Sequence, residues 1–175
     1  MSHLNENTVL DIKNRSHAVA AEITVPDSKT GGAIIAQGGR FGGWALYLRS
    51  GVPAHCYNFL GFERVYARAT QPLAKGKHTV RYEFKYDGGG VGKGGVGTLF
   101  VDGQQVGEAR LSRTVPFVFS AEGTNIGIDN GSPVTEDYGT PSGRFTGEIS
   151  WVRVDIGNDV SEDAAGKEEA LAGRS

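Results

Sequence analysis

The segment 79–103, TVRYEFKYDGGGVGKGGVGTLFVDG, constrains the fold more than any other part of the sequence. Every second residue between positions 80 and 86 is apolar, and this period of two predicts a strand with one buried and one exposed face. A second apolar run at 98–101 ends at Asp102-Gly103, a dipeptide that favours the tight turn of a hairpin. The segment therefore predicts consecutive antiparallel strands, with a flexible glycine loop between the first two.

The glycine-rich stretch in this segment is similar to two nucleotide-binding motifs. Gly90, Gly92 and Gly95 match the spacing G-x-G-x-x-G, and KGGVGT at 93–98 is similar to part of a phosphate loop. Both motifs hold phosphate at the N-terminus of a helix, whereas the residues that follow here, TLFVDG, are typical of a strand and a turn. The sequence therefore favours a loop between strands over a nucleotide site.

Turn residues interrupt the whole chain at short intervals. The 175 residues include 27 glycines, and helix-favouring runs are rare before position 157. Strands are predicted at 8–12, 17–25, 32–37, 44–49, 54–60, 63–70, 79–86, 98–101, 105–111, 115–121, 124–129 and 144–156. The alternation of the last strand changes phase near Trp151, which indicates a β-bulge or burial on both faces. We expect an all-β fold, an antiparallel two-sheet sandwich of the jelly-roll type.

Charge and composition divide the chain into three parts. Residues 1–16 are predicted to be a polar N-terminal arm, residues 17–156 the sandwich, and residues 157–175 an acidic tail that is disordered or a short helix. The net charge is −2, which gives no electrostatic case for binding nucleic acid. Residues 1–114 hold 14 Lys and Arg against 9 Asp and Glu, a balance of +5, so the first two thirds are basic.

The single cysteine, Cys56, excludes an internal disulfide and is compatible with a reducing compartment. The N-terminus lacks the apolar core of a signal peptide, and no run is long enough to span a membrane. These features predict no membrane partner and, by default, a cytoplasmic location.

Six segments in order resemble the C-terminal domain of large bacterial arylsulfatases. They are QGGRFGGWALYL (37–48), YNFLGFER (57–64), FKYDGGGVGKGG (84–95), TLFVDG (98–103), RTVPFVFS (113–120) and GIDNGSPVTEDY (127–138). The resemblance runs from about position 11 to 156. It implies a concanavalin A-like, laminin-G-like sandwich and an association with a sulfatase catalytic domain.

No catalytic residue is carried over from that resemblance. A sulfatase nucleophile stands in a C-x-P/A-x-R motif, and the residues after Cys56 are Tyr, Asn, Phe and Leu. His55 and Cys56 are adjacent on a predicted strand, so they point to opposite faces and cannot form a dyad. No paired carboxylates of a sandwich glycosidase occur either, because Glu148 has no acidic residue two positions away. We expect the chain to be inactive alone.

Two candidate ligand sites remain. Three neighbouring strands could line one sheet face with guanidinium and aromatic groups, which suit an acidic or sulfated glycan. The candidate residues of this face are Tyr47 and Arg49 on the first strand, either His55 and Tyr57 or Asn58 on the second, and Arg64, Tyr66 and Arg68 on the third. A calcium site is the second candidate, with the oxygen-bearing side chains of Asp129, Asn130, Glu136 and Asp137 in one loop. For each site an ordinary structural role, in cross-strand pairs or in turns, stays open.

Two functions follow as hypotheses. The first is a non-catalytic accessory domain that packs on a sulfatase catalytic domain or subunit, as the resemblance implies. The alternative is an independent carbohydrate-binding module for acidic or sulfated glycans. An enzyme acting alone is the least favoured, because no catalytic pattern is found. A sandwich fold by itself does not distinguish these functions.

Overall fold

The computed structural model describes residues 11–116 and 123–157. These residues form ten strands: β1 (His17–Val25), β2 (Gly32–Gly39), β3 (Gly42–Arg49), β4 (Val52–Phe59), β5 (Glu63–Arg68), β6 (Gly76–Tyr86), β7 (Lys93–Val101), β8 (Gln104–Arg113), β9 (Thr124–Ile126) and β10 (Glu148–Ile156). A short 3-10 helix, Pro141–Gly143, precedes β10. Within this part of the chain, no helix has the length and apolar character needed to cross a membrane.

The strands form two five-stranded sheets, and every paired neighbour is antiparallel. The first sheet has the order β10-β1-β6-β7-β8, and the second has the order β5-β4-β3-β2-β9. Alternate residues of each strand meet between the sheets; in β6, for example, Val80, Tyr82, Phe84 and Tyr86 are buried. This architecture confirms the predicted all-β, antiparallel two-sheet sandwich.

The glycine-rich stretch after β6 differs from the prediction. Residues 87–92 are a loop, but Lys93–Val101 form β7, so much of the expected flexible loop is a strand. A Cβ at Gly97 would overlap the hydroxyl of Tyr82, and a Cβ at Gly95 would lie 2.5 Å from Cζ of Phe84. The glycines therefore make room for two core rings inside a strand, a role that glycine in a strand often has.

The two sheets approach each other closely at one edge. A Cβ at Gly107 in β8 would lie 2.7 Å from the backbone oxygen of Arg68 in β5. The edge strands β5 and β8 thus pack backbone against backbone on that side. At the opposite edge, Glu22 of β1 pairs with Trp151 and Ile23 pairs with Ile149, so Ser150 is an extra residue. This bulge explains the change of phase that the sequence shows near Trp151.

Several strand boundaries differ from the sequence-based ones. The strand predicted at 124–129 is shorter, Thr124–Ile126, and the last strand begins at Glu148 instead of 144. Most of the strands predicted at 115–121 and 8–12 lies outside the described residues, as does nearly all of the predicted acidic tail; the described residues 115 and 116 are not in a strand. Of the predicted N-terminal arm, Ile12 contributes to the core at 3% exposure.

Candidate functional site

A long irregular segment covers the outer face of the β5-β4-β3-β2-β9 sheet. This covering segment, residues 127–147, begins after β9 and ends at β10. Its Val134 and Tyr138 are buried against small side chains that the sheet presents on that face. Those side chains are Ala33, Ala36, Ala45, Ala54 and Cys56. The central strands are therefore buried on both faces, and only part of the outer face remains open to solvent.

Cross-strand register decides which predicted binding residues share this outer face. Tyr47 of β3 pairs with Ala54 of β4, which places Asn58 on the same face as Tyr47 and Tyr57 on the core face. Tyr57 is 5% exposed and its hydroxyl accepts a hydrogen bond from the Val115 N–H. Of the two alternatives left open by the sequence, the structure therefore brings Asn58 to this face. In β5, Arg64, Tyr66 and Arg68 pair with the β4 residues of this same face.

Asp137 of the covering segment joins three of these residues. Its carboxylate accepts a 2.6 Å hydrogen bond from the Tyr47 hydroxyl and a 3.2 Å hydrogen bond from the Arg68 guanidinium. It also forms an ion pair with Arg49. Burial alone would raise the pKa of Asp137, but these donors outweigh it and hold the pKa below its usual value. Tyr47 is fully buried, and burial together with the bond to Asp137 raises the pKa of its phenol. Tyr47 therefore supports the site from below and does not face solvent.

Tyr66 lies beside this cluster on the edge strand. Its hydroxyl forms a 2.8 Å hydrogen bond with Oγ1 of Thr135 in the covering segment, and the Arg68 guanidinium lies 3.8 Å from the centre of its ring. Cys56 pairs with Tyr66 across the strands, and burial raises the pKa of its thiol to about 12, although a hydrogen bond with Tyr66 acts to lower that pKa. Cys56 is therefore a protonated packing residue, and His55 points to the opposite face, as the sequence predicted.

Asn58 holds three loops together. Its Nδ2 donates to the carbonyls of Arg40 at 2.9 Å and Val134 at 3.0 Å, and its Oδ1 accepts from the Gly61 N–H at 2.8 Å. The side chain is fully buried. Asn58 therefore fixes the β2–β3 turn, the β4–β5 turn and the covering segment, and it is not exposed to a ligand.

A groove of about 490 Å³ remains where the covering segment leaves the sheet open. Its lining consists of Arg49, Arg64, Tyr66, Thr135, Glu136 and Asp137. Arg64 is exposed, and its Nε donates to the Val134 carbonyl at 3.1 Å. Among the described residues no carboxylate pairs with Arg64, and its two terminal nitrogens have no hydrogen-bond partner there. The groove therefore presents guanidinium donors that are held in place and available to an anion.

The charge around the groove is positive on balance. Four guanidinium groups, those of Arg40, Arg49, Arg64 and Arg68, face two carboxylates, Glu136 and Asp137. Arg40 lies 4.0 Å from Glu136, and both side chains are more than half exposed. Sequence reasoning selected three of these arginines but missed Arg40 and Thr135. Val134 and Tyr138, apolar and aromatic residues on either side of Thr135 in this loop, are the signal that the loop packs on the sheet and brings Thr135 to it.

The four predicted calcium ligands are not gathered at one point. Asp129 is buried, and its Oδ2 accepts hydrogen bonds from the Val134 N–H and the Tyr138 hydroxyl. Asp137 is engaged with Tyr47 and two arginines, while Glu136 and Asn130 are exposed. Across residues 11–116 and 123–157, no group of three or more His, Cys, Asp or Glu side chains could hold a metal ion. The acidic residues of this loop therefore serve hydrogen bonds and ion pairs in the structure.

Comparison with solved structures finds β-sandwich domains of similar fold and low sequence identity. The CBM40 domain of the Ruminococcus gnavus IT-sialidase bound to α2,3-sialyllactose is 14% identical with a TM-score of 0.62; the match covers 98% of this chain and 90% of that one. Mouse laminin α1 domains LG4–5 are 19% identical with a TM-score of 0.54, covering 89% and 40%. The binding domain of botulinum neurotoxin serotype D/C is 14% identical with a TM-score of 0.56, covering 97% and 40%.

These similarities establish the fold and no more. The chain spans less than half the length of the laminin and neurotoxin chains, and the identities are below 20%. They confirm the laminin-G-like sandwich that the six-segment resemblance implied, and they give no support to a relationship with arylsulfatases. No protein-family model and no curated protein sequence matches the chain.

Proposed function

We propose that this protein is a carbohydrate-binding module that recognises acidic glycans through the groove beside β5. The observation that carries the proposal is Arg64, an exposed guanidinium that lines the groove and has, among the described residues, no carboxylate partner. A planar guanidinium forms paired, charge-assisted hydrogen bonds with a carboxylate or a sulfate, whereas a neutral sugar offers only hydroxyls. The charge balance of the groove favours the same class of ligand.

The neighbouring side chains support Arg64 in this role. Arg49 and Arg68 have exposed side-chain fractions of 60% and 49% while their guanidinium groups are anchored on Asp137. They can therefore add long-range attraction without moving, because the shared carboxylate fixes them. A similar architecture occurs in the CBM40 domain that was solved with sialyllactose, which makes a sialylated or other carboxylated sugar the first ligand to test.

Binding of a glycan panel to matched variants tests the proposal. Isothermal titration calorimetry with sialyllactose, chondroitin sulfate tetrasaccharide and neutral lactose should give binding to at least one acidic sugar and none to lactose. Arg64→Ala should weaken binding by about 10- to 150-fold, the equivalent of about 1.5–3 kcal/mol for hydrogen bonds to a charged group. The affinity of Arg64→Lys should lie between those of the wild type and Arg64→Ala, since a lysine keeps the positive charge but cannot form the two parallel hydrogen bonds of a guanidinium.

Arg81→Ala is the matched control for this experiment. Arg81 lies in β6, on the outer face of the other sheet, where it pairs with Glu83 at 2.7 Å. Its loss changes the net charge by the same amount as loss of Arg64 and should leave the affinity within twofold. If the two variants weaken binding equally, general attraction and not the groove is responsible. If no acidic sugar binds to the wild-type protein, the proposal is wrong.

Packing on a sulfatase catalytic domain stays a prediction of the six-segment resemblance alone. Native co-purification followed by a sulfatase assay on the eluate tests it directly. A larger partner that carries sulfatase activity would favour this second role over independent glycan binding.

A further inference from the structure

Exposed apolar side chains are concentrated on two adjacent turns. Phe41, in the β2–β3 turn, is 66% exposed; Leu60 and Phe62, in the β4–β5 turn, are 37% and 83% exposed. Two phenylalanines exposed on adjacent turns commonly mark a binding site, because the exposure of apolar side chains to water is unfavourable. The groove described above does not account for them.

The two turns are held rigidly against each other. Asn58 accepts from the Gly61 N–H and donates to the Arg40 carbonyl, so a single buried amide fixes both turns. A Cβ at Gly61 would lie 3.5 Å from Cδ1 of Phe41, which shows that the turns are in contact. Rings presented on fixed turns lose little conformational freedom when they bind, which favours a recognition role.

The apolar pair is continuous with the end of the groove. Phe62, the last residue of the β4–β5 turn, precedes Arg64 of β5 by two residues, so their Cα atoms are separated by at most about 7 Å. Arg40 is the neighbour of Phe41, and its guanidinium lies 4.0 Å from Glu136, which lines the groove. An acidic sugar that is bound by Arg64 would therefore have its next sugar unit within reach of the phenylalanine rings.

A protein partner fits this patch less well than a sugar. Two phenylalanines bury about 150–250 Å² each when fully covered, so together they supply less than about 500 Å². A stable protein interface needs about 800 Å² on each side. The ring of a pyranose has an apolar C–H face of the size of one phenyl ring, and a carbohydrate therefore matches both the area and the neighbouring charge.

We propose that Phe41 and Phe62 form a second subsite, which stacks on the sugar next to the acidic one. This inference rests on the proposed function and extends it: the ligand class is an acidic oligosaccharide of at least two units, and not an isolated acidic sugar. The acidic unit binds at Arg64, and the neighbouring unit, neutral or N-acetylated, packs its C–H face on the aromatic pair.

Matched monosaccharide and oligosaccharide probes test the subsite. The affinities of N-acetylneuraminic acid and sialyllactose, and of glucuronic acid and a chondroitin sulfate tetrasaccharide, are measured for the wild type, Phe62→Ala, Phe62→Tyr and Phe41→Ala. The wild type should bind the longer member of a pair at least fivefold more tightly. Phe62→Ala should remove most of that difference while leaving the monosaccharide affinity within twofold, and Phe62→Tyr should restore it. Trp151→Ala, an equally apolar change at a 42% exposed side chain on the edge strand β10, should have no effect.

The outcomes separate this inference from the proposed function. If both members of a pair bind equally, and Phe62→Ala changes neither while Arg64→Ala weakens both, the subsite is wrong and the acidic site stands. If no acidic sugar binds to the wild type, both are wrong. If Phe41→Ala or Phe62→Ala instead converts a dimer into a monomer by light scattering, without a change in oligosaccharide affinity, the patch joins copies of the chain and the subsite is overturned.

Discussion

The imidazole ring of His55 and the phenol ring of Tyr82 are parallel within 2°, and their centroids lie 3.4 Å apart. This stack joins β4 of one sheet to β6 of the other, in the middle of the core. The indole of Trp44 is also nearly parallel to the imidazole, at 6.0 Å. Burial, reinforced by the neighbouring His17, lowers the pKa of His55 well below its ordinary value, so His55 is neutral in the folded protein.

Stability should therefore fall as the pH decreases below about 6.5. In the unfolded chain His55 has an ordinary pKa and takes up a proton below that pH, whereas the folded protein excludes the proton. The unfolded state thus binds more protons, and the free energy of unfolding should decrease by up to about 1.4 kcal/mol per pH unit from this residue. Urea unfolding between pH 7.5 and 5.0 measures the slope.

His55→Phe should flatten that slope at little cost near pH 7.5. Nε2 of His55 has no hydrogen-bond partner among the described residues. Replacing the imidazole with a phenyl ring therefore breaks no hydrogen bond at that atom. A slope unchanged in His55→Phe would assign the acid sensitivity to another group.

His78 provides the opposite case: its hydrogen bonds to Asp102 and Ala74 outweigh burial and raise its pKa. Its stabilising contribution grows as the pH falls towards about 6.5 and is complete below that pH, so His78→Gln should remove this gain between about pH 7.5 and 6.5 and leave the slope below about pH 6.5 unchanged.

Gly97→Ala should destabilise the sandwich by about 1–3 kcal/mol, the usual effect of overpacking a core. The added methyl group would overlap the Tyr82 hydroxyl, and Tyr82 is fixed by its stack on His55. Thr98→Ala is the control, because Thr98 is half-buried on the other side of β7 and its loss should change stability by less than about 1 kcal/mol. Equal urea midpoints for the two variants would show that the core has space at Gly97.

Asn58→Ala should reduce both stability and glycan affinity. The substitution leaves the Gly61 N–H without its acceptor and the Arg40 carbonyl without the Asn58 amide, while the Val134 carbonyl keeps its hydrogen bond from Arg64; the loss should cost about 2–3 kcal/mol. It also releases the turns and the covering segment that shape the groove. The measurements are urea unfolding and glycan titration at a temperature where the variant is folded. Full affinity in a folded Asn58→Ala protein would show that the groove does not depend on this anchor.

The sequence was sufficient for the sheets but not for the surface they present. Alternation in segments such as 17–25 and 79–86 predicted their strands, and the arginine row of β5 was selected correctly as one face. The sequence could not show that the covering segment buries Tyr47, because that burial depends on contacts between residues 90 positions apart. A signal was nevertheless present: β2 and β3 are apolar on both faces, as is typical of strands covered on both sides.

The calcium hypothesis illustrates a second limit of sequence reasoning. Asp129, Glu136 and Asp137 are close in sequence, and carboxylates close in sequence suit a metal as well as they suit a turn. In the structure Asp137 pairs with Arg49 and Arg68, which lie on strands far away in the chain. Only the tertiary structure brings these arginines to the loop.

Asp137→Asn should lower stability and raise affinity for acidic glycans. Loss of the carboxylate weakens the bonds to Arg49 and Arg68, with an expected cost of about 1–2 kcal/mol in urea unfolding. The same loss leaves both guanidinium charges for the ligand, so an acidic oligosaccharide should bind about threefold or more tightly, about 0.7 kcal/mol, a typical value for a partly exposed charge pair. Asp155→Asn, which removes the partner of Arg153 on the other sheet, controls for net charge and should change neither quantity appreciably. Weaker binding in Asp137→Asn would mean that Asp137 serves the ligand by fixing the two arginines, and that their position matters more than their charge.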